Sequence, residues 1–209
     1  MARTDVFINC PFDDDYQPLF EVLVFAIAAS GYKVRCALED NDGANIRFDK
    51  LRRLIAASPR SIHDLSRTGV GLDDRPRFNM PFELGLAMGA KYFGGPRRRK
   101  NSALIMVERD HVLSAYLSDL GGNDPEAHGA EPANVIRIVM RYLQRTPDRR
   151  LLPGAQFTID MFARFKERLP DMATALRREP DEVHPFRDYG AYRVLVDEFL
   201  RESKRSISG

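Results

Sequence analysis

The chain has 209 residues, of which 44% are hydrophobic and 30% are charged, and its net charge is +2. This composition is typical of a globular protein with one ordinary domain and an appendage, or with two small domains. The near-neutral charge excludes a strongly basic, polyanion-binding protein. We expect the basic run PRRRK at 96–100 to be a solvated loop, and we expect no nucleic-acid partner.

The segment MARTDVFINC enters a predicted strand at once, and no run approaches 18 consecutive apolar residues. We therefore expect a cytoplasmic protein with no signal peptide and no membrane partner.

The first two-thirds of the chain alternates short apolar runs with helical patterns. Four strands are predicted, at 5–9, 32–38, 60–66 and 102–107. Four helices are predicted to follow them in turn, at 18–30, 45–58, 77–93 and 132–145. Because parallel strands buried on both faces are apolar throughout, this alternation predicts an open parallel sheet with helices on both faces. We assign this predicted α/β domain to residues 1–147.

The remainder of the chain, 148–209, lacks strand patterns and is predicted to be a helical extension. Its predicted helices are 157–169, a short segment near 171–178, and 186–204. The last helix places four apolar side chains on one face, those of Tyr192, Leu195, Val196 and Phe199. We expect this face to pack on the α/β domain or on a partner, and we expect a homo-oligomer. The polar segment 118–132 is predicted to be a loop that either closes over a site or lies at the surface.

Polar residues follow the predicted strands at the edge of the sheet where α/β proteins bind ligands. Phe12 and Asp13 come after the first strand, and Asp64 and Ser66 come at the end of the third. Asp13 is equally suited to begin the next helix, and Asp64 to cap the following loop. His63 is expected to point away from Asp64 in a regular strand, which favours a core histidine.

The helical stretch RFNMPFELGLAMGAKYF, at 77–93, contains a single carboxylate, Glu83. Asn79 is a plausible N-cap and Pro81 suits a first turn, so one interpretation is an acid that interacts with the helix dipole. That stabilisation is below about 2 kcal/mol, whereas burying an unpaired carboxylate costs several kcal/mol. The alternative interpretation is a functional carboxylate. Arg77 at the start of the stretch is suited either to a phosphate or to a surface ion pair.

The order of these motifs resembles bacterial TIR-like proteins and the nucleoside 2-deoxyribosyltransferase group. The segments that carry the resemblance are DVFI at 5–8, GYKV at 31–34, Gly43 with the helix 45–58, the strand end 62–66, and PFEL at 81–84. The resemblance covers about residues 5–107. There are three departures. Met80-Pro81-Phe82 replaces the TIR-type Trp-Cys before the glutamate, Asn9 stands where Ser is frequent, and the chain past residue 145 has no counterpart in the pattern.

The resemblance implies a flavodoxin-like fold and cleavage of a bond between a base and a ribose. Glu83 and Asp64 would be the catalytic residues, Asp64 protonating the leaving base or holding a ribose hydroxyl. The substrate-binding residues implied are Phe12, Asp13, Asn79, Arg77 and Ser66. A carboxylate in a dry pocket suits this chemistry because the sugar gains oxocarbenium character as the glycosidic bond breaks.

The same resemblance implies NAD hydrolysis with release of nicotinamide as the leading expectation for the activity. It also implies a role as an effector in bacterial antiphage defence. NAD would be the substrate, and we expect no cofactor and no metal. The alternative is a non-catalytic TIR-like module that senses a nucleotide or acts as a scaffold. A phosphoacceptor receiver domain is a further alternative, but Glu108-Arg109 stands where that fold needs a lysine.

Overall fold

The computed structural model describes residues 4–40, 42–67, 77–110, 117–145 and 151–208. It contains a five-stranded sheet, composed of β1 (Asp5–Asn9), β2 (Lys33–Arg35), β3 (Arg60–Asp64), β4 (Ser102–Val107) and β5 (Glu126–Ala127). All neighbouring pairs are parallel and the order is β2-β1-β3-β4-β5. This is the flavodoxin-like order, so the predicted fold class is confirmed.

Two strands are shorter than predicted because side chains turn the backbone. After β2, the Glu39 carboxylate accepts the Cys36 N–H at 2.7 Å and draws the chain into a short 3-10 helix, Ala37–Glu39. After β3, the Asp64 carboxylate accepts the Ser66 N–H at 2.9 Å. By contrast, β5 was not predicted at all. It lies in the segment that we interpreted as a loop, and a two-residue strand carries no alternating pattern.

Residues Met1–Pro11 and Lys33–Asn134 form one compact unit, which contains the sheet and the helices α2 (Arg47–Ala57) and α3 (Asn79–Tyr92). On α2, the buried face packs against Phe7 of β1 through Leu51, Leu54 and Ile55. On α3, Met80 and Leu84 pack against a cluster formed by Leu65, Ile105 and Val107. Leu86, Ala87 and Ala90 of α3 also pack against the cluster that contains Phe7, so both helices lie on the side of the sheet to which Phe7 points.

Residues Phe12–Tyr32 and Val135–Gly209 form a second unit. Its helices are α1 (Gln17–Ala29), α4 (Pro132–Gln144) from Val135 onward, α5 (Ala155–Ala175) and α6 (Tyr189–Ser208). The ring of Phe25 packs against Phe165 with a centroid distance of 5.5 Å, and also contacts Phe162 and Phe199. All four residues of the predicted apolar face of the last helix are buried, as expected. No described helix is both long and apolar enough to cross a membrane.

The predicted break between two helices near residue 170 is wrong. The helix α5 continues through Pro170 to Ala175, and its residues on both sides of the proline are buried, Phe165 before it and Met172 and Ala173 after it. The predicted domain boundary at residue 147 lies outside the described residues.

Candidate functional site

The carboxyl of Glu83 is buried without a partner. Glu83 is 5% exposed, and no hydrogen bond or ion pair joins it to any of the residues that the structure describes. Burial raises the pKa of the Glu83 carboxyl from its ordinary 4.5 to about 7, while the positive charge of Arg47 acts in the opposite direction. The group therefore exchanges a proton near neutral pH, and a buried group with a pKa shifted this far is a candidate for a functional site.

The helix dipole does not account for Glu83. The helix α3 begins at Asn79, so Glu83 is its fifth residue and lies beyond the first turn, which contains no acid. The dipole effect falls off within that turn. The predicted N-cap is also wrong: Phe78 holds the cap position, where its carbonyl accepts the Phe82 N–H at 3.1 Å, and Asn79 is the first helical residue.

Asn9 at the end of β1 holds the start of α3 against the sheet. Its Nδ2 donates to the carbonyl of Met80 at 2.8 Å and to Nδ1 of His63, its neighbour on β3, at 2.9 Å. Since Nδ1 accepts, the ring proton of neutral His63 lies on Nε2, which has no partner among the described residues. Complete burial lowers the pKa of His63 to about 3, so the ring stays neutral at physiological pH.

The carboxylate of Asp64, by contrast, is buried with a partner for each of its two oxygens. Its Oδ1 accepts the N–H of Ser66 and, through a short contact, the hydroxyl of Ser66. Its Oδ2 lies 3.0 Å from Nε2 of His128, which follows β5. The hydroxyl of Ser66 is also 2.9 Å from that nitrogen. These bonds tie the end of β3 to the segment after β5.

The Ser66–His128–Asp64 group has the residues of a hydrolytic triad but not its geometry. In a triad the histidine uses one nitrogen for the serine and the other for the aspartate. Here both partners meet Nε2, and Nδ1 accepts the backbone N–H of Ala130 at 3.0 Å. The ring has no basic nitrogen left to activate Ser66. The cluster is therefore better suited to holding the loop than to nucleophilic catalysis.

Asp64 and Glu83 are not brought together. Neighbouring strand residues point to opposite faces, and His63 lies on the face of Asn9, whose amide bonds to α3. Asp64 therefore points away from α3, as predicted for the pair His63 and Asp64. A joint acid–base role for Glu83 and Asp64 gains no support from this arrangement.

Phe12 and Asp13 belong to the second unit, and each has a structural partner there. The ring of Phe12 contacts Phe20 and Phe186 edge to face. The Asp13 carboxylate accepts the Tyr16 N–H at 3.0 Å and caps a short 3-10 helix, which matches our alternative interpretation of Asp13. Their role in substrate binding stays a prediction.

The remaining predicted residues flank the start of α3. Asn79 is exposed and Arg77 half-buried, and both keep their predicted role as a hypothesis only. Among the described residues, one cavity of about 80 Å³ beside this helix is lined by residues such as Ser61, Leu84 and Lys91, and another of about 260 Å³ lies beside Gly85. Glu83 lines neither of them.

Three residues near these sites were not assigned by sequence reasoning. Asn9 was named only as a departure from the TIR pattern. An amide side chain at the end of an apolar predicted strand could have indicated a residue that forms buried hydrogen bonds. His128 stood in a segment predicted to be a loop. Arg47 was one of several charges on an amphipathic helix, where periodicity gives no reason to single it out.

Comparisons of the chain with protein-family models, with characterised proteins and with solved structures found no match. No family is therefore assigned, and the resemblance to TIR-like proteins stays a prediction. The flavodoxin-like strand order is observed directly in the sheet and does not depend on these comparisons. A fold alone, however, does not determine an activity.

Proposed function

We propose that this protein cleaves the N-glycosidic bond of a nucleotide, that NAD is its substrate, and that Glu83 is the catalytic carboxylate. The observation that carries the proposal is the buried Glu83 carboxyl, which has no partner among the described residues. An unpaired carboxylate in a site of low polarity stabilises a cation more strongly than one exposed to water. A ribosyl oxocarbenium ion is such a cation.

The proposed reaction is a hydrolysis, and it needs water as its only second reactant. The bond between C1′ of the ribose and the pyridinium nitrogen breaks, and its electron pair leaves with nicotinamide, which becomes neutral. Water adds to C1′ and releases a proton, giving ADP-ribose. Because the leaving group of NAD needs no proton, a second acid beside Glu83 is not required, which agrees with the separation of Asp64 from α3.

A non-catalytic nucleotide-sensing or scaffold module is the alternative. The observation that favours it is that Glu83 lines neither of the two cavities that the described residues form beside α3. A module of this kind would bind a nucleotide without releasing its base.

The test is base release by the purified protein. NAD and a panel of nucleotides and nucleosides are incubated with the wild-type protein, with Glu83→Gln, and with Glu167→Gln, which changes an exposed glutamate on α5. We expect nicotinamide to be released from NAD by the wild type and Glu167→Gln but not by Glu83→Gln. Absence of base release from every substrate at high protein concentration would favour the sensing module.

A further inference from the structure

The first residues of α2 and α3 form an exposed aromatic surface. Phe48 is 46% exposed and Phe82 54% exposed, and their ring centroids are 6.2 Å apart. Ile46 and Phe78, which precede the two helices, are more exposed still. We call these four residues the helix-start surface. Single exposed apolar residues are ordinary, but two phenylalanines in contact next to the buried acid of α3 are typical of a binding surface.

Arg47 differs from the other basic side chains of α2. Lys50 and Arg53 interact with Asp40, and Arg52 pairs with Asp49 at 3.2 Å. Arg47 is exposed and forms neither a hydrogen bond nor an ion pair within the described parts of the chain. Its charge nevertheless acts on Glu83, so the guanidinium lies close enough to that carboxyl to influence it.

Neither helix is capped by the side chain of its own N-cap residue. The N-cap residues are Ile46 for α2 and Phe78 for α3, and neither supplies an acceptor to the amides of the first turn. Amides at a helix start, together with the helix dipole, favour an anion, above all a phosphate. Both helices follow strands of a parallel sheet, so both begin at the carboxyl edge, where α/β folds bind nucleotides.

We propose that the helix-start surface and Arg47 select a phosphorylated nucleotide over the corresponding nucleoside, with Arg47 holding the phosphate and the Phe48–Phe82 pair contacting the base. A guanidinium with no ion-pair partner among the described residues fits a phosphate, because it supplies several donors in one plane. An aromatic pair contacts any base through its π face. The inference rests on the proposed function only in placing the glycosidic bond at Glu83; the binding itself needs no catalysis.

The test compares two ligands that differ by one phosphate, nicotinamide mononucleotide and nicotinamide riboside. Their dissociation constants are measured by calorimetric titration of Glu83→Gln, so that neither ligand is consumed. The substitutions Arg47→Gln and Phe82→Leu are added in turn to this protein. Their matched controls are Arg52→Gln on the same helix and Phe93→Leu, an exposed phenylalanine at the end of α3.

We expect the mononucleotide to bind about tenfold more tightly than the riboside, and Arg47→Gln to remove most of that difference. Phe82→Leu should weaken both ligands by the same factor, and neither control should change either constant. Equal binding of the two ligands, no binding of either, or an equal effect of Arg52→Gln would overturn the proposal. Self-association that Phe82→Leu abolishes, without nucleotide binding, would also overturn it and would identify an interface between copies of the chain.

The two proposals fail separately. If the wild type releases nicotinamide from both ligands equally well, with or without Arg47, the N-glycosidase stands and the phosphate selection is wrong. If binding depends on Arg47 but no base is ever released, the selection stands and the catalytic function is wrong.

Discussion

At the scale of single residues, the burial of Glu83 links stability to pH. The pKa of this carboxyl is about 7 in the folded protein and near 4.5 when unfolded, so folding favours the protonated form. Stability is therefore lost as pH rises from about 4.5 to about 7, by about 3 kcal/mol in total. We expect Glu83→Gln to match the wild type near pH 4.5 and to exceed it by about 2–3 kcal/mol at pH 8, measured by urea unfolding.

The control for this measurement is Glu167→Gln, which changes an exposed glutamate. Its unfolding free energy should follow that of the wild type at both pH values. If the gain from Glu83→Gln were the same at pH 4.5 and at pH 8, the burial of a charge would not be its cause.

The same pKa determines how base release should depend on pH. An ionised Glu83 stabilises an oxocarbenium ion, so kcat/KM for NAD should rise with pH, reach half its maximum near 7, and level off above about 8. A bound pyridinium favours the ionised carboxylate, so kcat should reach its plateau at a lower pH than kcat/KM. A rate that falls through the same pH range would indicate that Glu83 donates a proton instead.

At the scale of secondary-structure elements, Asn9 couples the end of β1 to the start of α3. Asn9→Ala leaves the Met80 carbonyl and Nδ1 of His63 without their donor inside the protein, and each loss costs about 1–3 kcal/mol. We expect this substitution to lower the free energy of unfolding by about 2–4 kcal/mol, and to speed amide exchange in the first turns of α3.

Asn101→Ala is the matched control, because the Asn101 side chain is only half-buried and makes no hydrogen bond to the described residues. It should leave the free energy of unfolding within about 0.5 kcal/mol of the wild-type value and should not speed amide exchange in the first turns of α3. If Asn9→Ala changed stability no more than Asn101→Ala does, Asn9 would not be what holds α3 in place.

The elements of the sheet could be predicted from the sequence where burial gives a periodic signal. The bounds of β1 and β4 match the prediction because both are short, largely apolar runs whose ends are marked in the sequence, by Pro11 after β1 and by Glu108 after β4. The ends of β2 and β3 could not be predicted, because a side-chain hydrogen bond two or three residues ahead decides them. Within the site, Glu83 was identifiable as a lone carboxylate in an apolar helix, whereas Arg47 and His128 gain their significance only from neighbours distant in sequence.

At the scale of the whole molecule, the compact units do not follow the order of the chain. The second unit takes in Phe12–Tyr32 as well as Val135–Gly209, so a helix from the predicted α/β domain shares a core with the tail. Within that core, Phe20 contacts Phe186, and Phe25 contacts Phe165. Sequence periodicity located the helices of this unit, apart from the false break near residue 170, but it could not assign them to a unit, because an apolar helix face does not specify which element will pack against it.

This arrangement predicts that truncation after residue 147 will not leave a folded domain. The shortened chain keeps α1 but loses α5 and α6, so Phe20 and Phe25, both fully buried, lose aromatic neighbours. Burial of each such ring contributes about 1.5–3 kcal/mol, and a typical domain is stable by only about 5–15 kcal/mol. We expect the truncated chain to bind a hydrophobic dye, to aggregate, and to lack a cooperative unfolding transition.

A point substitution in the full chain separates this explanation from general damage by truncation. Phe165 is fully buried on α5, whereas Phe157 on the same helix is 43% exposed. Phe165→Ala should cost about 3–5 kcal/mol and Phe157→Ala well under half of that, because only the first opens a cavity among the rings of α1 and α6. If instead residues 1–147 unfold cooperatively on their own, with stability close to that of the full chain, the tail is a separable extension, and α1 does not depend on it.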